Sequence, residues 1–251
     1  MPETKIVITK NLEELNRDAA KLIVDASREA ITQSGRFILA LSGGSTPKKL
    51  YELLATPEWN TQVDWTHIHF FWGDERMVLP DHADSNYRMT NEALLSKVAV
   101  PPANIHRVKT ELNDPAKVAA DYEAEIYRVL GGEKNNLPKF DLILLGMGDN
   151  AHTASLFPHT DALKPSEHIV LAPYVAEVNS YRITFTAPLI NNAHKIAFLL
   201  AGAKKAPVVE EVLHGARDPE RLPSQLIHPA HGTLYWMMDE PAAAQLSKKT
   251  A

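Results

Sequence analysis

Phe37-Ile38-Leu39-Ala40-Leu41-Ser42-Gly43-Gly44-Ser45-Thr46-Pro47 decides how this chain is read. Five consecutive apolar residues are the pattern of a strand buried on both faces, as in the interior of a parallel sheet. They run into a turn with two glycines and three hydroxyls. Thr46-Pro47 then reads as an N-cap followed by proline at the first helical position. Three further apolar runs end in the same manner. Residues 67–72 (HIHFFW) lead into Gly73-Asp74-Glu75-Arg76, and residues 140–145 lead into Gly146-Met147-Gly148-Asp149-Asn150-Ala151-His152. Residues 196–201 lead into Gly202-Ala203-Lys204-Lys205. In an open parallel sheet the carboxyl ends of the strands share one edge, and ligands bind in the crevice there. These four loops are therefore expected to meet in one pocket, built for a small phosphorylated molecule.

Working outward, Ile6-Val7-Ile8 predicts a first strand, and Asn11 with Glu14 forms a capping box for a helix. Leu12, Leu15, Ala19, Leu22, Ile23, Ala26 and Ala30 follow at helical spacing, and Gly35 suits the stop. Residues 51–54 complete the short helix begun at Pro47. Ser85 caps a helix running to about Lys97, and residues 105–108 predict a short strand. Asp114-Pro115 opens a helix that continues through Leu130 to Gly131-Gly132. Strands are predicted near residues 169–175, 181–186 and 234–238, with a helix from about 206 to 214. Alternating strands and helices give an α/β fold with a sheet covered on both faces. No linker composition or internal repeat divides residues 1–251, so a single domain is expected.

Composition narrows the function. The 251-residue chain has a formal net charge of -5, which argues against a general nucleic-acid or membrane-surface binder. An anionic ligand must then be held by a few local cations. Zero cysteines exclude a thiol nucleophile, a disulfide framework and thiolate metal sites, and fit a cytoplasmic protein. The opening residues lack a cationic stretch followed by an apolar one, so no signal peptide is expected. The apolar runs are too short to span a bilayer.

Each loop has a chemical reading and a plainer one. The glycines of Ser42-Gly43-Gly44-Ser45-Thr46 let backbone approach an anion, and N–H groups at a helix start favour a phosphate. An ordinary strand-to-helix turn is the alternative, and the spacing to Lys48 does not make a Walker loop. Arg76 offers a planar pair of donors to carboxylate or phosphate. Asp74 and Glu75 would orient it or assist proton transfer, unless the three are surface ion pairs. His152 follows a strand and a glycine-bracketed turn, and a histidine titrates near neutrality, so it suits general-base work on water. Thr153 to Phe157 then reads as a resumed helix. Arg182 and Lys205, with Lys204 as an alternative, sit where a phosphate would be met from the far side. His67 and His69 share a strand face, but no third ligand lies close, so no metal is expected.

Taken together, SGGSTPKKLYELL, FFWGDERMV with DSNYRM, LLGMGDNAHTASLFP, RITFTAPLINNA and GAKKA closely resemble the 6-phosphogluconolactonases. The match runs in order from about Phe37 to Ala206. This resemblance implies a three-layer α/β/α fold shared with glucosamine-6-phosphate deaminases and ribose-5-phosphate isomerases. It also implies hydrolysis of 6-phospho-glucono-1,5-lactone in the oxidative pentose phosphate pathway, without cofactor or metal. The family's catalytic histidine falls on His152 and its arginine on Arg76. Its phosphate-binding positions fall on the Ser42–Thr46 loop, Arg182 and Lys205. Where the family usually reads Asp-Gly before the histidine, this chain reads Asn150-Ala151, leaving Asp149 as the nearest carboxylate. Two other readings share these motifs: an amino-sugar phosphate deaminase or isomerase, and a non-catalytic sugar-phosphate sensor. Residues after the histidine do not match the former.

Overall fold

The computed structural model describes residues 2–133 and 136–246. Its strands, in chain order, are β1 (Glu3–Thr9), β2 (Phe37–Leu41), β3 (Ile68–Trp72), β4 (Asp74–Arg76) and β5 (Leu142–Leu145). They continue as β6 (Val170–Leu171), β7 (Tyr174–Val175), β8 (Ser180–Phe185), β9 (Lys195–Leu200) and β10 (Thr233–Asp239). The helices are α1 (Leu12–Ser34), α2 (Ser45–Leu54), α3 (Pro57–Asn60), α4 (Asn86–Ala93), α5 (Pro115–Leu130), α6 (Ala187–Asn191) and α7 (Ala206–His214). Six strands form a parallel sheet in the order β1-β10-β9-β5-β2-β3. A small antiparallel sheet, β4-β8-β6, carries β7 on β8. The chain crosses between sheets at Gly73, whose N–H donates to Leu41 and whose carbonyl accepts from Phe185.

Strand β2 shows why a continuous apolar run is needed at the centre of this fold. Phe37, Leu39 and Leu41 join a core with Leu15, Ile23, Tyr51 and Trp72, beneath α1 and α2. Ile38 and Ala40 point the other way, into a core with Tyr122, Phe140, Phe185 and Trp236, beneath α5 and β8. The period-two alternation of a strand thus feeds two apolar layers at once. On the second face Phe198 and Trp236 stack at 4.1 Å. None of the described helices is long and apolar enough to cross a membrane.

Five local expectations are corrected. Helix α2 begins two residues earlier than the Thr46 cap implies, with Gly44 at the N-cap and φ +103°. Pro47 is then the third helical residue, still tolerable because first-turn N–H groups lack intrahelical partners. The predicted strand at 105–108 shrinks to one bridge, Ile105 to Phe70, because His106 turns inward to His69 and Glu125. The run 153–157 is a tight turn, not a helix: Thr153 and Ser155 spend their hydroxyls on Gly146 and Asp74. The strand at 169–175 splits into β6 and β7 around Pro173, which has no N–H to give a ladder. In the capping box of α1, Asn11 accepts from Glu14 N–H as expected, but Glu14 reaches back to Lys10 N–H.

Candidate active site

Two buried tyrosines fix the strand ends that open into the crevice. The Tyr51 hydroxyl, from α2, accepts from Ser42 N–H at 3.0 Å and donates to the Ser42 carbonyl at 2.8 Å. The Tyr122 hydroxyl, from α5, does the same for Trp72, at 2.7 and 3.0 Å. Each hydroxyl therefore satisfies both backbone groups of a residue where the sheet ladder ends, Ser42 just after β2 and Trp72 at the end of β3. Beyond these anchors lies a cavity of about 360 Å³. Ser42–Pro47, Asp74, Arg76, His152, Arg182 and Lys205 all line it, as do Ser155, Phe157 and Glu177. The four segments converge as their sequence positions implied, although Asp74–Arg76 is the strand β4 rather than a loop.

His152 sits on a floor made by glycine. A Cβ on Gly148 would lie 2.1 Å from both Cε1 and Nδ1 of the imidazole, so no larger residue fits beneath the ring. Phe157 covers the ring by stacking at 4.0 Å. Its Nδ1 lies 2.6 Å from Asn150 Oδ1, and that oxygen also accepts from His152 N–H at 3.1 Å. The amide nitrogen of Asn150 donates to Glu177 Oε2 at 2.7 Å. A carboxylate only accepts and a backbone N–H only donates, so the orientation of the Asn150 amide is settled from both ends. Nδ1 must then carry the proton, and the neutral ring keeps its lone pair on Nε2. Burial pushes His152 below the ordinary histidine value; Asp74 and Glu177 oppose this, and Lys205 and Arg182 add to it. At neutral pH the ring is a base.

Cations occupy the other wall. Arg76 and Arg182 stand directly opposite in the β4–β8 ladder, where like charges repel. Arg76 Nη1 donates to the Asp84 carbonyl at 2.9 Å, but its buried Nε has no partner. Arg182 is held below the usual arginine range, by burial first and by Arg76 second. Lys205 pairs with Asp149. At the cavity rim α2 starts just after Gly44, with no side-chain cap and no acidic residue in its first turn. Uncapped N–H groups and two facing guanidinium ions together give this wall a positive potential, which favours an anion there.

The two carboxylates after β3 divide their labour. Glu75 is buried and accepts from the N–H groups of Arg76, Asn86 and Tyr87 and from Ser85 Oγ, so it fastens the start of α4. Asp74 accepts from Ser155 Oγ at 2.8 Å, tying the turn after His152 to β4. Asp149, the carboxylate nearest His152 in sequence, is turned toward Lys205, and the oxygen against the imidazole belongs to Asn150. Ala151 carries φ +64°, the left-handed region that favours glycine. Its carbonyl is held there by Ser224, through both N–H and Oγ. Sequence reading did not find Glu177, Ser155, Phe157 or Ser224. Of these, Phe157 and Ser155 had a signal in the residues just after His152.

The sequence family described as glucosamine-6-phosphate isomerases/6-phosphogluconolactonase matches residues 10–236. The chain belongs to this family. Within the family it is 43% identical over 247 residues to a 6-phosphogluconolactonase of Nostoc sp., covering 98% of this chain and 97% of the relative. It is 42% identical over 245 residues to the 6-phosphogluconolactonase of Synechocystis sp., covering 98% of each. Among solved structures, 6-phosphogluconolactonase from Trypanosoma brucei superposes with a TM-score of 0.87 at 28% identity, covering 98% of this chain and 99% of that one. A monomeric glucosamine-6-phosphate deaminase superposes with a TM-score of 0.78 at 22% identity, covering 96% of this chain and 99% of that one, which shows a shared fold alone.

Proposed function

We propose that this protein hydrolyses 6-phospho-D-glucono-1,5-lactone to 6-phospho-D-gluconate, the lactone step of the oxidative pentose phosphate pathway, and that it does so in the cytoplasm. The observation that carries the reading is the fixed tautomer of His152, with Nε2 free as a base in the cavity that Arg76, Arg182 and Lys205 also line. A lactone is an activated ester, so a positioned water suffices and no covalent intermediate is needed. His152 Nε2 takes one proton from water as its oxygen bonds to the carbonyl carbon. The carbonyl electron pair becomes an oxyanion, met by Arg76 or by loop N–H groups. Collapse re-forms the carbonyl and breaks the bond to the ring oxygen, which receives the proton from the imidazolium. One water is consumed, and the new carboxylic acid ionises to solvent. The remote phosphate, held by the Ser42–Thr46 loop with Arg182 and Lys205, fixes the ring by binding energy away from the reacting bond.

A deaminase or isomerase role is disfavoured by the same family relationships, and a sensor would not need an oriented base. The deciding experiment is hydrolysis of freshly generated phosphorylated lactone, corrected for the spontaneous reaction, with glucosamine 6-phosphate as control. Turnover of the lactone alone is expected. Tight sugar-phosphate binding without turnover would replace the enzyme with a sensor.

A further inference from the structure

Glu177 stands in the short turn Ala176–Val178 before β8, 25 residues beyond His152, and belongs to none of the motifs that mark the site. It is exposed to solvent, yet its carboxylate lies 2.7 Å from Asn150 Nδ2, and the oxygen of that same amide lies 2.6 Å from His152 Nδ1. We propose that Glu177 is a positioning residue for the general base: its charge acts on His152 through the Asn150 amide, as a two-part replacement for a carboxylate in direct contact. The inference rests on His152 being the base, as proposed above.

The physical case has three parts. A carboxylate on the donor side of an amide polarises it, so the distal oxygen becomes a stronger acceptor, as in any cooperative hydrogen-bond chain. The imidazolium that forms when water is deprotonated gains most from that acceptor, because Nδ1–H becomes a charged donor. Lastly, Asn150 alone would be neutral, so the negative charge facing the imidazolium must come from elsewhere. Groups of both signs face the ring: Asp74 from β4, Arg182 from β8, Lys205 before α7, and Asp149 beyond it. The Asp74 carboxylate accepts from Ser155 Oγ and, at 3.4 Å, from Asn86 Nδ2, and Asp149 pairs with Lys205. Glu177 has the amide of Asn150 between it and the base.

The arrangement makes a prediction whose sign depends on residue 150. Replacing Glu177 by Gln keeps an acceptor for Asn150 and removes the charge. An exposed charge acting across one amide should change kcat by about two- to fivefold, with KM little moved. The ascending limb of the pH profile should move to lower pH by about 0.2–0.7 unit. With Asn150→Asp, a carboxylate touches the imidazole directly and Glu177 becomes a like-charged neighbour. In that background Glu177→Gln should leave kcat unchanged or raise it.

The test is a four-member cycle of wild type, E177Q, N150D and the double variant, measured for kcat, KM and pH profile, with His152 titrated by NMR in each. A lower His152 midpoint in E177Q, a fall in kcat, and loss or reversal of that fall in N150D are expected. An unmoved His152 midpoint and kcat in E177Q overturn the inference. An equal fall in kcat in both backgrounds also overturns it, because Glu177 would then act on substrate or fold. A His152→Ala control separates the two levels of the argument. Near-normal turnover there removes the general-base reading itself, whereas the NMR midpoints still report whether Glu177 reaches the ring.

Discussion

Replacing Arg182 by alanine should affect the free protein and its phosphate complex in different ways. Arg182 and Arg76 are cross-strand partners with side chains on one face of the β4–β8 ladder. Like charges so placed destabilise by about 0.2–1 kcal/mol. Arg182 is depressed by burial and by Arg76, and Arg76 Nε is buried without a partner, so the unliganded site already holds its cations at a disadvantage. Removing Arg182 relieves that repulsion while losing the packing of its methylene stem. The two effects are of similar size, and the stability of the ligand-free protein should change by less than about 1 kcal/mol.

Phosphate binding should respond much more strongly. A charge-assisted hydrogen bond to an ionised partner contributes about 1.5–3 kcal/mol, or roughly 10- to 150-fold in affinity. The Michaelis constant for the phosphorylated lactone should rise by that factor, and the constant for glucono-lactone without phosphate should barely move. Stabilisation of the protein by added 6-phosphogluconate in a thermal melt should shrink in parallel, since a ligand stabilises only in proportion to its occupancy. Arg182→Lys should recover the charge but not the two-pronged geometry, and so fall between. Equal effects on both lactones would refute the assignment of Arg182 to phosphate. So would a loss of several kcal/mol in the free protein with phosphate affinity intact, because the arginine pair would then be scaffold.

Three other outcomes are expected. His152→Ala should lower turnover by about 10²–10⁴-fold with the fold and phosphate affinity retained, read by steady-state kinetics and circular dichroism; near-normal turnover would remove the base. Ala151→Gly should leave stability within about 1 kcal/mol: relief of the left-handed alanine, about 1–2 kcal/mol, is offset by one lost buried methyl, about 0.8, and added chain freedom, about 0.4–1. A denaturant-melt difference above about 2 kcal/mol would contradict that balance. His69 is pushed down to about 4 by burial, with His106 and Arg36 adding to the effect. The unfolded chain therefore takes up that proton first, and stability should fall as pH drops from about 6.5 toward 4. His69→Gln should flatten this part of the stability curve, and an unchanged slope would exclude His69 as its source.

What the sequence disclosed, and what it withheld, follows the range of the interactions involved. Strand β2 was legible because two-sided burial demands an unbroken apolar run, and that demand is local. The loops were legible because strand ends in a parallel sheet share an edge whatever the intervening residues are. Boundaries set by single side chains were not: His106 truncates a predicted strand by turning toward Glu125, 19 residues away, and Thr153 and Ser155 unmake a predicted helix through Gly146 and Asp74. The departure at Asn150-Ala151 shows both limits. Its backbone half had a signal in the resemblance, since the glycine usual at that position suits the positive φ that Ala151 adopts. Its chemical half was not, because the nearest carboxylate in sequence, Asp149, serves Lys205, while a carboxylate 27 residues beyond Asn150 holds the amide. Linear distance ranks candidate partners by loop-closure cost, which grows only slowly with length. Once a sheet has fixed its strand ends that cost is already met, and the partner is chosen by which loop shares the rim.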